Sequence, residues 1–106
     1  MTAPTVPNAA DEAQVQGRKR KAQVQQERRT AALKEVLASR AGRDVIWNLI
    51  SEAGVYRTSF NTNALAMAHA EGQRNVGLRL LANVMEASLS SYLLMQDEAN
   101  KEESNG

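Results

Sequence analysis

Apolar residues between positions 41 and 53 recur with the spacing of a helix. They are Val45, Ile46, Leu49, Ile50 and Ala53. Because side chains at i, i+1, i+4 and i+5 share one helical face, the pattern predicts a short amphipathic helix. Ser39 is its candidate N-cap. Gly54 follows the last apolar position, where the left-handed conformation that ends many helices is easiest for glycine.

The helix over residues 41–53 is the second of three predicted helices, after an N-terminal arm. The longest apolar segment predicts the third helix over residues 63–96, with Thr62 or Asn63 as its N-cap. At about 100° per residue, its polar side chains form one narrow stripe and its apolar side chains cover more than half of the circumference. A single neighbouring helix buries a much narrower band. We therefore expect self-association, through the residues Leu78, Leu81, Met85, Leu89 and Tyr92.

Two glycines lie inside this predicted helix, where each costs roughly 1 kcal/mol relative to alanine. Gly72 and Gly77, together with nearby alanines, make the first half of the helix slim. The prediction is that the second helix packs closely against this half. A kink at either glycine is the alternative.

The N-terminal part of the chain is polar and rich in helix-forming residues. Residues 11–38 predict a long basic arm, anchored only by its last two turns, and residues 1–10 contain two prolines and are expected to be disordered. The fold class is therefore all-α. We expect a small hairpin or bundle of three helices with its core over residues 39–96 and a disordered acidic tail over residues 97–106.

The charge is distributed unevenly, although the net charge is only +1. Residues 17–43 carry nine basic and two acidic side chains, whereas residues 97–106 have a net charge of −3. This distribution indicates contact with an anionic surface or head-to-tail self-contact. The alternative is an ordinary solvated helix, because no aromatic residue interleaves the arm for base stacking. The side chains that would contact nucleic acid or an acidic partner are Arg18, Lys19, Arg20, Lys21, Arg28 and Arg29.

The sequence offers little for catalysis or metal binding. The absence of cysteine excludes disulfides and thiolate metal sites. His69 lacks ligand partners at suitable spacing and is interpreted as a packing or surface residue. Ser39, Thr58 and Ser59 fit caps and turns better than nucleophiles. We expect no enzyme activity and no cofactor, and a soluble protein without a membrane span or secretory signal.

Arg74 lies on the apolar side of the predicted third helix. A buried guanidinium needs a partner there. Asp44 or Glu52 of the second helix is the candidate, and the pair would fix the register between the two helices.

Three short motifs resemble a family of small proteins of short-tailed, podovirus-type bacteriophages, first catalogued from a Bordetella phage. They are Gly42-Arg43 opening a helix, Gly54-Val55-Tyr56-Arg57 with Ser59-Phe60, and Glu71-Gly72-Gln73-Arg74-Asn75-Val76-Gly77. The resemblance covers about residues 38–90. Proteins of this family are of unknown function and are encoded near virion structural proteins.

The resemblance implies a non-enzymatic structural or accessory protein of the virion. Such a protein assembles in several copies near the portal, the tail or the capsid interior, and ejection with the genome is one option. Its partners would be its own copies, portal or tail components, and DNA through the basic arm. It would be found in the virion, and in the host cytoplasm during assembly. The alternative is a helical nucleic-acid-binding or regulatory phage protein that is absent from the particle.

Overall fold

The computed structural model describes residues 9–105, and every regular element in this range is an α-helix. The predicted all-α class is therefore confirmed for this part of the chain. The disorder expected for residues 1–10 falls mostly on residues 1–8, which lie outside the described range. The helices are α1 (Ala9–Leu37), α2 (Arg40–Glu52), α3 (Ala64–Ala87) and α4 (Leu89–Asn105).

The single third helix predicted over residues 63–96 is wrong, because the chain breaks at Ser88 into α3 and α4. Ser88 has an extended backbone with φ −165° and ψ 96°. Its N–H donates to the carbonyl of Val84 at 2.8 Å, and its Oγ accepts from the N–H of Ser91 at 3.2 Å. Ser88 therefore ends α3 and caps the N-terminus of α4, a position at which serine is strongly preferred.

The structure also differs from the expected disordered tail, since α4 continues through residues 97–105. Glu98 and Glu102 lie one turn apart on α4 and pair with arginines at the start of α2. Lys101 and Asp97 form an i,i+4 ion pair along the same helix. Acidic composition alone suggested a tail, but these pairs place the acidic residues on a helix.

Three local signals for helix ends are confirmed. The Ser39 side chain accepts from the N–H of Gly42 at 3.0 Å and caps α2. Gly54 has a φ of +81° directly after the end of that helix. The Asn63 side chain accepts from the N–H of Ala66 at 3.0 Å and caps α3.

The buried core joins all four helices and the loop after α2. Its residues are Leu37, Ile46, Ile50, Val55, Val84, Ala87, Tyr92 and Met95. Gly77 lets α3 approach this loop, because a Cβ atom at position 77 would lie 2.5 Å from Ala53 Cβ and 2.6 Å from Val55 Cγ2. The close approach predicted for Gly77 is confirmed. The same prediction is wrong for Gly72, where a Cβ atom would have no contact within 4 Å.

The molecule is long and flat. Its radius of gyration is 20.5 Å and its dimensions are 75 × 40 × 15 Å, whereas a compact chain of this length would have a radius near 13 Å. Packed helices lie 8–10 Å apart, so this thickness holds about two layers of helices at most. In α1, only Leu37 is buried. The outer faces of the helices are consequently left in solvent.

Candidate interaction surfaces

The five residues predicted for self-assembly do not lie on one free surface. Tyr92 is buried, and its Oη lies 3.0 Å from the Oη of Tyr56. Leu78 and Leu81 are half-buried against the core. Only Met85 and Leu89 are exposed. The prediction assumed one continuous helix through Ser88. Because the backbone of Ser88 is extended, the side chains of α4 do not continue the faces of α3.

Two other apolar faces are exposed instead. The α4 face consists of Leu89 and Leu93, which are one turn apart and 55% and 54% exposed. The α2 face consists of Val45 and Leu49, also one turn apart and exposed. Sequence periodicity places Val45 and Leu49 on the same apolar face as Ile46 and Ile50, but only Ile46 and Ile50 are buried. The apolar band of α2 is wider than the part that its neighbours cover.

Exposed apolar residues outnumber the buried ones. Within residues 9–105, fourteen large hydrophobic side chains are exposed and eight hydrophobic side chains are buried. The accessible surface is 8236 Å², whereas a folded monomer of 11.6 kDa has about 5,800 Å². The first comparison describes a subunit that leaves many apolar side chains in water, and the second reflects its extended shape, to which the exposed arm contributes.

An ion-pair clamp joins the start of α2 to α4. Arg43 Nε lies 2.8 Å from Glu98 Oε1, and the two side chains are only 13% and 12% exposed. Arg43 Nη1 also donates to the carbonyl of Leu37 at 3.0 Å, which ties the end of α1 to the same pair. Arg40 contacts Glu98 at 2.9 Å from the exposed side. A hydrogen bond with Asp44 raises the pKa of the Arg40 guanidinium.

Tyr56 anchors the loop after α2 to the neighbouring helices. The rings of Trp47 and Tyr56 stack with centroids 5.7 Å apart, and the Tyr56 hydroxyl pairs with that of Tyr92. Burial and this hydrogen bond raise the pKa of Tyr56 well above its usual value. The phenol therefore stays neutral at physiological pH, and the loop is fixed between α2 and α4.

A cleft of about 250 Å³ lies between this loop and α3. The side chains with hydrogen-bond donors that line it are Arg57, Thr58, Ser59, Gln73 and Arg74. We call this site the Arg57–Arg74 cleft. The Nε atom of Arg74 is buried and has no hydrogen-bond partner among the described residues. The predicted ion pair with Asp44 or Glu52 is not formed in residues 9–105. Asp44 pairs with Arg40 instead.

The basic arm is solvated on every side. Residues 9–29 of α1 are all exposed, including all six of the predicted contact residues. These are Arg18, Lys19, Arg20, Lys21, Arg28 and Arg29. At 1.5 Å per residue, the 29-residue α1 is about 43 Å long. The arm can therefore reach a partner well beyond the core.

Other chemistry is sparse in the part of the chain that the structure describes. Residues 9–105 contain no cluster of three or more potential metal-ligating side chains. His69 is exposed on α3, in agreement with a surface position. None of the described helices has an apolar stretch long enough to cross a membrane.

Comparison with known proteins connects this fold to bacteriophages. The family model described as Bbp19-like phage protein matches residues 33–97. This segment begins in the last two turns of α1 and includes the core, the start of α4 and the Arg57–Arg74 cleft, but not the basic residues at positions 18–29. No curated protein and no solved structure gave a significant match. Since the matched segment covers more than half of the chain, the protein belongs to the Bbp19-like phage protein family.

Proposed function

We propose that this protein is a non-enzymatic structural or accessory component of the phage particle, which assembles in several copies. Membership of the phage family supports an origin in a phage genome. The observation that carries assembly is the pair of exposed apolar faces on a thin subunit. Neighbouring exposed apolar side chains on one helical face are candidates for an interaction site, because water disfavours them.

The two faces lie on different helices, α2 and α4. A subunit with more than one apolar face can contact more than one neighbour, which favours an assembly of several copies over a single pair. In the proposed location these copies sit near the portal, the tail or the capsid interior, contact other virion proteins and leave with the genome if they are internal. Before assembly, the protein is in the host cytoplasm.

Mass spectrometry of purified particles tests this location. We expect peptides from this chain at a fixed ratio to the portal protein, unchanged by a high-salt wash that removes adsorbed host proteins. A protein made during infection but missing from washed particles would contradict the virion assignment. Such a result would leave the regulatory alternative in its place.

Charge on the α4 face is expected to weaken self-association. In Leu89→Glu/Leu93→Glu, two carboxylates replace apolar side chains that a neighbouring copy would bury without partners. The first substitution lies in the first turn of α4, where a negative charge suits the helix dipole. Light scattering over a range of concentrations measures the average mass, which we expect to fall below that of the wild type, while the α2 face remains available for contact.

The matched control for this variant changes two exposed valines of the arm. Val15→Gln/Val24→Gln removes the same number of exposed apolar side chains from α1, and we expect it to keep the mass of the wild type. Equal masses for the two double variants would contradict assembly through the α4 face. Far-ultraviolet circular dichroism verifies that both variants remain helical.

The second candidate function is nucleic-acid binding by the basic arm, and the exposure of its six basic side chains favours it. We expect changing Arg18, Lys19, Arg20 and Lys21 to Gln to weaken retention of duplex DNA at low salt. Each phosphate that the arm neutralises steepens the dependence of log affinity on log salt by about 0.9, so the variant is also expected to be less sensitive to salt. Unchanged retention of DNA by this variant would rule out nucleic-acid binding by the basic arm. Arg79→Gln, an exposed change on α3, is the control for loss of charge elsewhere.

A further inference from the structure

Two of the three motifs that carry the phage-family resemblance meet at the Arg57–Arg74 cleft. The loop after α2 contributes Arg57, Thr58 and Ser59, and α3 contributes Gln73 and Arg74. These side chains are donor-rich, and neither the clamp nor the apolar faces uses them. The cleft therefore requires an explanation of its own.

Among the described residues, Arg74 has the one buried side-chain polar atom that lacks a hydrogen-bond partner. Its Nε is buried without an acceptor, and no ion pair joins its guanidinium to a carboxylate within residues 9–105. Buried donors of this kind are rare in folded proteins, and those on a charged group are especially unfavourable. An acceptor from outside the subunit does not reach the buried Nε itself, but it can bind the two Nη atoms of the same guanidinium, which are not buried and have no hydrogen-bond partner among the described residues.

Arg57 places a second guanidinium at the same cleft. Its Nη2 donates to the carbonyls of Ser51 at 3.3 Å and Glu52 at 3.5 Å, at the C-terminal end of α2. These bonds fix the side chain and leave its other nitrogens without acceptors among the described residues. Thr58 Oγ1 accepts from the N–H of Phe60 at 3.2 Å, so its own proton remains available to donate.

We propose that the Arg57–Arg74 cleft binds one acidic side chain of another protein. A planar carboxylate accepts paired hydrogen bonds from a guanidinium, and two arginines around one cleft supply donors from two directions. The cleft volume of about 250 Å³ is sufficient for one acidic side chain. The bound carboxylate accepts from both arginines and from the neighbouring hydroxyl groups.

The surroundings favour a peptide over a nucleic-acid strand. Glu52 lines the cleft and Glu71 lines the adjoining groove. These carboxylates repel a polyanionic backbone more than they repel one carboxylate that is held between guanidiniums. Phe60 follows Ser59 in the loop and is exposed, which supplies apolar surface for the rest of a bound segment. This site does not depend on whether the protein is part of the particle.

Titration of the isotope-labelled full-length protein with an acetylated, amidated peptide that carries one glutamate between neutral residues tests the proposal. We expect saturable binding, with movement of the Arg74 Nε–Hε resonance in nuclear magnetic resonance spectra. Arg74→Gln is expected to weaken binding by about tenfold or more, because a charge-assisted pair is removed. Arg79→Gln removes one exposed arginine from the same helix and is expected to bind as the wild type does.

Three results would overturn the proposal. The first is an Arg74 resonance that does not respond to the peptide in the wild-type protein, a measurement that does not depend on the folding of any variant. The second is equal affinity in Arg74→Gln and Arg79→Gln when both melt cooperatively. The third is a response of the Arg74 resonance to duplex DNA and not to the peptide, which would assign the cleft to phosphate.

Discussion

Glu98→Leu is expected to lower the free energy of unfolding by about 2–3 kcal/mol, because it leaves the part-buried guanidinium of Arg43 without a carboxylate. The two side chains are 12% and 13% exposed and approach to 2.8 Å. The remaining acceptor of Arg43, the carbonyl of Leu37, carries no net charge. Leucine keeps the helix propensity of α4 and adds no polar group. Loss of the ion pair therefore dominates the change.

Glu102→Leu is the matched control, one turn further along α4. Glu102 is 72% exposed and contacts the exposed Arg40. An ion pair in solvent contributes little, so we expect a loss of no more than about 1 kcal/mol. Chemical denaturation followed by circular dichroism measures both variants. Equal losses would show that the Arg43–Glu98 pair is as weak as the solvent-exposed Arg40–Glu102 pair.

Arg43→Met, added to Glu98→Leu, completes the comparison. Replacing both members of this part-buried ion pair by apolar side chains removes the uncompensated charge. We expect the double variant to be more stable than Glu98→Leu alone. If it is less stable by the full sum of the single losses, the two residues act independently and the clamp does not join α2 to α4.

Local chemistry made the ends of α2 and the start of α3 predictable. Ser39, Gly54 and Asn63 act within three residues of themselves, through a cap or a left-handed backbone. The break at Ser88 is also a serine cap, but apolar residues continue on both sides of it. Periodicity reports which residues are apolar and does not report that the helix axis changes direction.

The sites were less predictable because they depend on contacts far apart in the sequence. Arg43 and Glu98 are separated by 55 positions, and composition placed Glu98 in an acidic tail. Arg74 was assigned a carboxylate partner on α2, yet Asp44 pairs with Arg40 on its own helix. A signal for the clamp was present in the i,i+4 spacing of Glu98 and Glu102, which is typical of one helical face.

Gly77→Leu is expected to lower the free energy of unfolding by about 3 kcal/mol, although leucine is a far better helix former than glycine. Even the first added atom would lie 2.5 Å from Ala53 Cβ and 2.6 Å from Val55 Cγ2. The Cβ of Ala53 is fixed to the backbone, so α3 and the end of α2 must separate. Thermal and denaturant unfolding at several protein concentrations measure the loss while accounting for association.

Gly72→Leu is the same substitution on the same helix, but we expect it to raise the free energy of unfolding. A Cβ atom at position 72 meets no atom within 4 Å, so helix propensity decides the outcome and we expect a gain of about 0.5–1 kcal/mol. If both variants gain stability, α3 does not pack against Ala53 and Val55. The loop would then no longer be held beside α3, and the geometry that brings Arg57 and Arg74 to one cleft would be lost with it.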